Sequence, residues 1–516
     1  MTLPISQDDP IYPVFFKVFN KQWKYHLIKN KDIGNSLCIG NPGFGKTTCN
    51  RRECELRYEN NHKIICLYDA GRCDMAYFMF PSVSDFWKKP KVERGKIILP
   101  KKYPVELLYP VTSNIPKKLP YNAVPFTIGV SDLDENDIVA LVGTGSKDTV
   151  KGALNFMKKK IDKDTTGLDY LNIMGHGLKK VEDSDSIKPS HFGIKKLKSD
   201  VFLPLINEGL LSSKNSDTAI DIRSIITNKK TMSILILRHC PQNLWGFLVL
   251  FFLNHIFKSL SGIDAEKRIK QKTTVVMNEV ADLLTADEDA GSSSGSIAKM
   301  IEKIAKQYRT GNMYLLMDTQ IPQELPDVKD TLNRIYVFNS GVSEVQKVME
   351  IMGISFRSGQ INSDDLMIIP RLPKGYYYLF DRVSGVSIHK LLWTRSRTYL
   401  DGEDFYDIYN KINGISSYIN IAPILDKLET EREKSEEIWN YRKNMINKKN
   451  IDENDGAEDD FDEEVDKEEL FEEKTEETKI KEENIEIKSI EVKEDVAVPK
   501  KKKTDWAAFK KIIKTI

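Results

Sequence analysis

Paired cysteines are missing from this chain. Its six, Cys38, Cys49, Cys54, Cys66, Cys73 and Cys240, include no C-x-x-C and no zinc-ligand spacing. That excludes a disulfide framework and a cysteine metal site, and predicts reduced thiols in a cytoplasmic protein, or the host cytoplasm if the source is viral. Long apolar runs are missing too. The most apolar stretch, 244–253, is followed at once by Asn254 and His255. It is too short to span a bilayer, so a buried helix is expected and no integral membrane segment. The first residues carry acid rather than base and lead into no apolar core, so no signal peptide is expected. Nor is there a large excess of one charge: the net charge is +1. That balance hides a strong asymmetry. Residues 451–499 hold 22 acidic and 6 basic side chains, and 500–516 hold 7 basic and 1 acidic. The remaining body is moderately basic, which suits a polyanion partner.

What the chain does contain is one loop around which the rest is arranged. Residues 35–48 read N-S-L-C-I-G-N-P-G-F-G-K-T-T. Gly40, Gly45, Lys46 and Thr47 satisfy G-x-x-x-x-G-K-[ST]. Backbone N–H groups of such a loop wrap around phosphates, so side chains are excluded where the turn is tight. The stretch Gly40, Asn41, Pro42, Gly43, Phe44, Gly45, Lys46, Thr47 and Thr48 is therefore the candidate nucleotide-binding segment. Lys46 reaches the outer phosphates and the Thr47 hydroxyl binds magnesium. The apolar run 37–39 is the expected strand before it, and 47–58 the expected helix, whose positive end faces the same anion.

An α/β pattern surrounds the loop. Residues 1–33 have room for a strand or two. Residues 63–68 form a second apolar strand ending at Asp69, a position that suits either a nucleotide fold or a turn aspartate. Residues 100–125 are proline-rich and loop-like, and 132–135 form an acidic turn capping an apolar helix. Residues 143–230 are lysine-rich, helical in period and poor in strand signals, as an inserted helical subdomain would be. Their lysines suit a solvated helix face before a nucleic-acid surface. Strands resume at 232–237, an apolar helix at 244–259, and a continuous β-branched strand at 273–277, which suits burial on both faces. Asn278 and Glu279 close that strand. After a Gly/Ser/Asp loop at 287–296, apolar residues from Ile297 to Tyr308 repeat at helical spacing, and Arg309 ends the helix. The strand 312–317 then closes on Asp318, Thr319 and Gln320. Residues 425–448 read as a charged helix. Residues 450–498 are acid-rich with little apolar area and are expected to be disordered. The end, 500–516, places Trp506, Phe509, Ile512, Ile513 and Ile516 on one helical face beside lysines. That face is expected to dock onto a partner protein or onto the motor itself, with a membrane surface or DNA as the alternatives.

Hydrolysing a nucleotide needs a residue to help hold magnesium and a carboxylate to polarise water. It gains from a γ-phosphate sensor and a cation for the transition-state charge. Asn278 and Glu279 offer the first two, Asn278 through its amide oxygen; Gln320 offers the sensor and Arg309 the cation. The segments G-N-P-G-F-G-K-T-T, V-V-M-N-E-V-A-D-L-L and Y-R-T-G-N-M-Y-L-L-M-D-T-Q together resemble the HerA/FtsK superfamily of ring-forming DNA-pumping ATPases. Conjugative coupling proteins and viral genome-packaging ATPases are members. The resemblance implies an α/β, RecA-like P-loop NTPase core (1–142 and 231–413) with an inserted helical subdomain (143–230). A charged helix (414–449), a disordered acidic linker (450–499) and a basic amphipathic helix (500–516) would follow. It implies ATP and Mg2+ as ligands, Glu279 as catalytic carboxylate, Gln320 as sensor and Arg309 as a finger acting on a neighbouring subunit. Double-stranded DNA and a homo-oligomer, a hexamer by the family's habit, are the implied partners. One departure stands out: the family usually has an acid where this chain has Asn278. A motor moving protein substrates, or a nucleotide-gated scaffold with little turnover, would be built from the same parts.

Overall fold

A computed structural model describes residues 11–17, 23–29, 33–69, 73–83, 91–93, 96–134, 137, 161–167, 169, 203–262, 268–285, 293–326, 328, 331–352, 369–381, 386–393, 396–399, 404–430 and 433. Twelve of its strands make one sheet. In chain order, β1 (Ile11–Lys17) and β2 (Trp23–Lys29) form a hairpin. β3 (Asn35–Ile39) enters the phosphate loop, and β4 (Lys63–Tyr68) is the second apolar run. β5 (Val105–Pro110) and β6 (Ala123–Phe126) follow. β7 (Met232–Leu235), β8 (Thr273–Met277), β9 (Met313–Thr319) and β10 (Leu332–Val337) complete the parallel set. β11 (Tyr376–Asp381) and β12 (Val386–Trp393) are antiparallel additions. The order across the sheet is β2-β1-β12-β11-β10-β3-β9-β8-β4-β7-β5-β6. From β10 to β6 every neighbouring pair is parallel.

The central strands are buried along their whole length and mostly apolar, because both their faces are covered. Leu37 and Ile39 of β3, Val275 and Met277 of β8, and Leu315 and Met317 of β9 point into one core. There they meet α2 (Trp245–Ser261) and α3 (Ser293–Gly311), together with Val345 and Val348 of α4 (Val342–Met352). Alternate residues point the other way: Ile64 and Cys66, Val276 and Leu316 join Cys54 of α1 (Lys46–Glu59) and Phe405 of α5 (Phe405–Asn413). The helical stretch 242–261 is long and apolar enough to cross a membrane by composition, but 72% of its window is buried inside the protein. It is the core helix expected from the apolar run.

Two stretches differ from their sequence reading, and a third differs in where it begins. Residues 100–125 contain β5, β6 and the short strand Lys118–Pro120. The prolines there, Pro100, Pro104, Pro110, Pro116, Pro120 and Pro125, sit mostly at or near strand ends, where a missing N–H costs least. Within 143–230, Leu205, Ile206, Leu210, Ile222 and Ile226 belong to the main core, and Leu211–Ser212 pairs in parallel with Ile128–Gly129. The chain thus rejoins the core before 230; most of 143–202 lies outside the described residues. At the acidic turn, Asp134 and Asp137 cap one another through N–H to carboxylate bonds of 3.0 Å each. His255 and Asn254 hold the Asp137 carboxylate from α2, at 3.0 and 2.8 Å. Residues 422–430 are helical, but the expected charged helix does not reach back to 414: Ile415–Ser417 is a 3-10 turn and Tyr418–Asn420 a strand paired with Lys118–Pro120. The acidic linker and the terminal amphipathic helix lie outside the described residues.

Candidate active site

The phosphate loop combines a clamped base with an open crown. Gly40 (φ 149°), Gly43 (76°) and Gly45 (113°) hold backbone conformations that L side chains rarely adopt. A Cβ at Gly40 would lie 2.7 Å from the Phe338 Cβ and 2.8 Å from the Asn339 carbonyl oxygen. That close approach serves a purpose. The Asn339 carbonyl accepts the Asn41 N–H at 2.6 Å, and its Oδ1 accepts from Asn41 Nδ2 at 3.0 Å. The Asn339 amide is itself fixed by donating to the Pro370 carbonyl at 2.8 Å. On the other shoulder, Gly375 N–H donates to the Phe44 carbonyl at 2.8 Å. Pro42 and Gly43 between them are exposed. α1 starts from Gly45 with no side-chain cap, so its first-turn N–H groups have neither an intrahelical acceptor nor a capping side chain from that residue. Helix dipole and open amides together suit a phosphate group.

Lys46 is buried, and its Nζ donates to the Gly40 carbonyl at 2.8 Å. The same nitrogen lies 3.3 Å from Glu279 Oε1. Glu279 follows the end of β8 with φ 50°, a left-handed conformation uncommon outside glycine. Its N–H donates to Asp318 Oδ1 at 2.6 Å. β9, which carries Asp318, lies between β3 and β8, so the loop and the glutamate meet across an intervening strand.

Behind them runs a buried polar network. Asn278 donates from Nδ2 to Asp69 Oδ1 at 2.9 Å and accepts at Oδ1 from Asn50 Nδ2 at 3.1 Å. Asn50, on α1, also donates to Asp318 Oδ2 at 2.9 Å and accepts from Cys38 Sγ at 3.0 Å. Asp69 Oδ2 accepts the Met75 N–H at 2.9 Å. Burial, then the nearby Asp74 charge, pushes Asp69 up to about 8, against the bonds from Asn278 and Met75. Burial, then Glu279, pushes Asp318 up to about 7, against Lys46 and the Glu279 N–H.

The residues singled out from sequence come together in part. The loop, Lys46, Asn278 and Glu279 form one site. Thr47 and Thr48 are half-buried in the first turn of α1. Gln320 directly follows β9, whose terminal Thr319 carbonyl accepts the Gly40 N–H at 3.3 Å, so it lies at the loop's edge. Arg309 lies in the last turn of α3, and its side chain is outside the described residues. Sequence reasoning assigned no role to Asn50, Asp318 or Asn339. The only signal was positional: Asp69, Asn278 and Asp318 all stand at or near the C-terminal end of an apolar run.

No protein-family model and no curated protein matches the chain. Solved structures of similar fold exist. VirB4 of Thermoanaerobacter pseudethanolicus is 11% identical, with a TM-score of 0.44, over 72% of this chain and 90% of that one. The bacterial conjugative coupling protein TrwB, in a crystal form with sulphate, is 12% identical, with a TM-score of 0.42, over 72% and 86%. The genome-packaging NTPase B204 of Sulfolobus turreted icosahedral virus 2, in complex with ATP-gammaS, is 11% identical, with a TM-score of 0.22, over 34% and 72%.

Proposed function

We propose that this chain is an ATP-hydrolysing motor of the HerA/FtsK type that works in a ring of subunits, six by the resemblance, and moves double-stranded DNA. The observation that carries the reading is the convergence of Lys46 and Glu279 at 3.3 Å beside an open phosphate loop. A loop lysine serves the outer phosphates, and a carboxylate at that point reaches the water that attacks them. Glu279 polarises that water, Gln320 senses the γ-phosphate, and Arg309 stabilises transition-state charge in a neighbouring subunit. The Thr47 hydroxyl would hold a magnesium ion, which would supply charge neutralisation for the phosphates. The moderately basic body suits the DNA backbone, which a motor grips without reading sequence. Packaging or mobile-element transfer is the proposed setting, in the cytoplasm of the cell or host.

A second reading, a nucleotide-gated scaffold with little turnover, has one observation in its favour: both ends of the Asn278 amide are taken by Asp69 and Asn50. ATP hydrolysis with and without double-stranded DNA, run alongside native mass measurement, separates the two. Hydrolysis stimulated by DNA in an oligomer supports the motor. Tight ATP binding with negligible turnover under both conditions supports the scaffold. Turnover that DNA leaves unchanged turns attention to a protein substrate.

A further inference from the structure

We propose that Asp318 is the positioning residue for Glu279, and that Asn278 is a strut of the same network and not a magnesium ligand. This rests on the reading of Glu279 as the water-polarising carboxylate.

The argument is one of donors and acceptors. Two donors converge on Asp318: the Glu279 N–H on Oδ1 and Asn50 Nδ2 on Oδ2. Only a carboxylate offers two acceptors there. An asparagine, in either orientation, would aim its NH2 at one of those donors. Asn278 faces the opposite requirement. It donates a hydrogen bond to the Asp69 carboxyl group and accepts one from Asn50. An aspartate at 278 would bring no N–H to that carboxyl group. Asn50 is oriented by Cys38 Sγ, which donates to its oxygen, so both its N–H groups are spent on 278 and 318. The identities of residues 69, 278, 50 and 318 therefore fix one another, and the series ends on the backbone of Glu279. Asn50 and Asp318 are 0% exposed, Asn278 3% and Asp69 6%, so water cannot repair a mismatch.

The consequence is local and chemical. Glu279 at φ 50° occupies a conformation that a non-glycine residue keeps only when its surroundings hold it. The Asp318 bond holds it, and so fixes where the Glu279 carboxylate stands relative to Lys46. The acid absent from position 278 has its counterpart one strand over, as a brace for the glutamate.

The test uses the full chain and reads melting temperature, affinity for a fluorescent non-hydrolysable ATP analogue with magnesium, and kcat. Asp318→Asn is expected to bind the analogue within about threefold of wild type while kcat falls on the order of a hundredfold, the scale of a misplaced catalytic group. A folded Asp318→Asn with wild-type kcat overturns the positioning role. The reciprocal exchange keeps the claim testable if that variant fails to fold. Asn278→Asp alone should lower both melting temperature and kcat. Adding Asp69→Asn recreates every bond in mirror image. The amide then at position 69 can donate to the carboxylate then at position 278 and still accept the Met75 N–H, so both readouts should recover. A double variant no better than the single one overturns the network. For the strut, Asn278→Ala should leave Mn2+ affinity of the analogue complex, read by electron paramagnetic resonance, within about threefold; a tenfold loss in a folded protein makes Asn278 a ligand after all. Glu279→Gln separates the two levels. If it turns over normally, the catalytic reading fails; if it is inactive while Asp318→Asn is normal, only the positioning role fails.

Discussion

The Lys46 ammonium stands 3.3 Å from the Glu279 carboxylate, with the two side chains only 3% and 13% exposed. The lysine proposed to serve the phosphates is thus held by the carboxylate proposed to polarise the water. On that reading ATP must draw Lys46 away, so the pair competes with binding. Removing the charge in Glu279→Gln should tighten ATP-analogue binding about fivefold, the equivalent of about 1 kcal/mol. The same variant should lose on the order of a hundredfold or more in hydrolysis. Titration calorimetry and phosphate release read the two effects. Unchanged affinity would mean that the pair does not oppose ATP.

Arg309 tests the ring. Its place in the last turn of α3, 11 positions before Gln320, suits a finger acting across an interface. Arg309→Ala subunits should bind ATP without hydrolysing it. Mixed with Lys46→Ala subunits they should regain measurable activity, because a finger is worth roughly a thousandfold or more in rate. Dead mixtures, or full activity in isolated subunits, would remove the trans role.

Inside α1, Glu53 and Arg57 form a buried pair, with Arg57 Nε donating to Glu53 Oε1 at 3.1 Å. Ser36 donates to the same carboxylate oxygen at 2.8 Å, and Arg334 lies 3.7 Å away. Burial alone would push Glu53 up, but Arg57 and Arg334 outweigh it and hold the carboxyl below its usual range. Glu53→Gln should cost about 3–5 kcal/mol in urea unfolding, the penalty for leaving buried cations unpaired. A loss below about 1 kcal/mol would show that Ser36 and the Gly34 carbonyl, which also accepts from Arg57 at 2.8 Å, suffice.

The active-site acids predict a pH dependence of the opposite sign. Asp69 is raised to about 8 and Asp318 to about 7 in the folded chain. Unfolded, both titrate near about 3.9. Between these values the folded state holds more protons, so their contribution to stability falls as pH rises through that window and is lost above about 8. The melting temperature should therefore drop between about pH 4 and about pH 8 on this account, and Asp69→Asn should flatten that slope. An unchanged slope in the variant would remove Asp69 from the effect.

Much of this molecule is local and was legible as such. The phosphate loop is set by a backbone path that only glycine permits at fixed offsets, and the structure places Gly40, Gly43 and Gly45 in it. β4, β8 and β9 were legible because strands covered on both faces must be apolar without alternation. α2 was legible because a core helix needs no polar face. Other features were settled only by the tertiary structure. α1 carries Asn50, Arg51, Arg52, Glu53, Glu55 and Arg57, a pattern that reads as solvated, yet all six are buried. Their partners lie far along the chain: Arg51 bonds Thr398 and Glu55 bonds Ser396. The role of Asn278 was equally out of reach. Its partners Asn50 and Asp69 are 228 and 209 positions away, and they become neighbours only once β4 pairs with β8 and α1 packs over the sheet. Local spacing governs backbone conformation and apolar burial, because both depend on neighbours within a few residues. The direction of a buried hydrogen bond depends on which distant donor arrives at the other end.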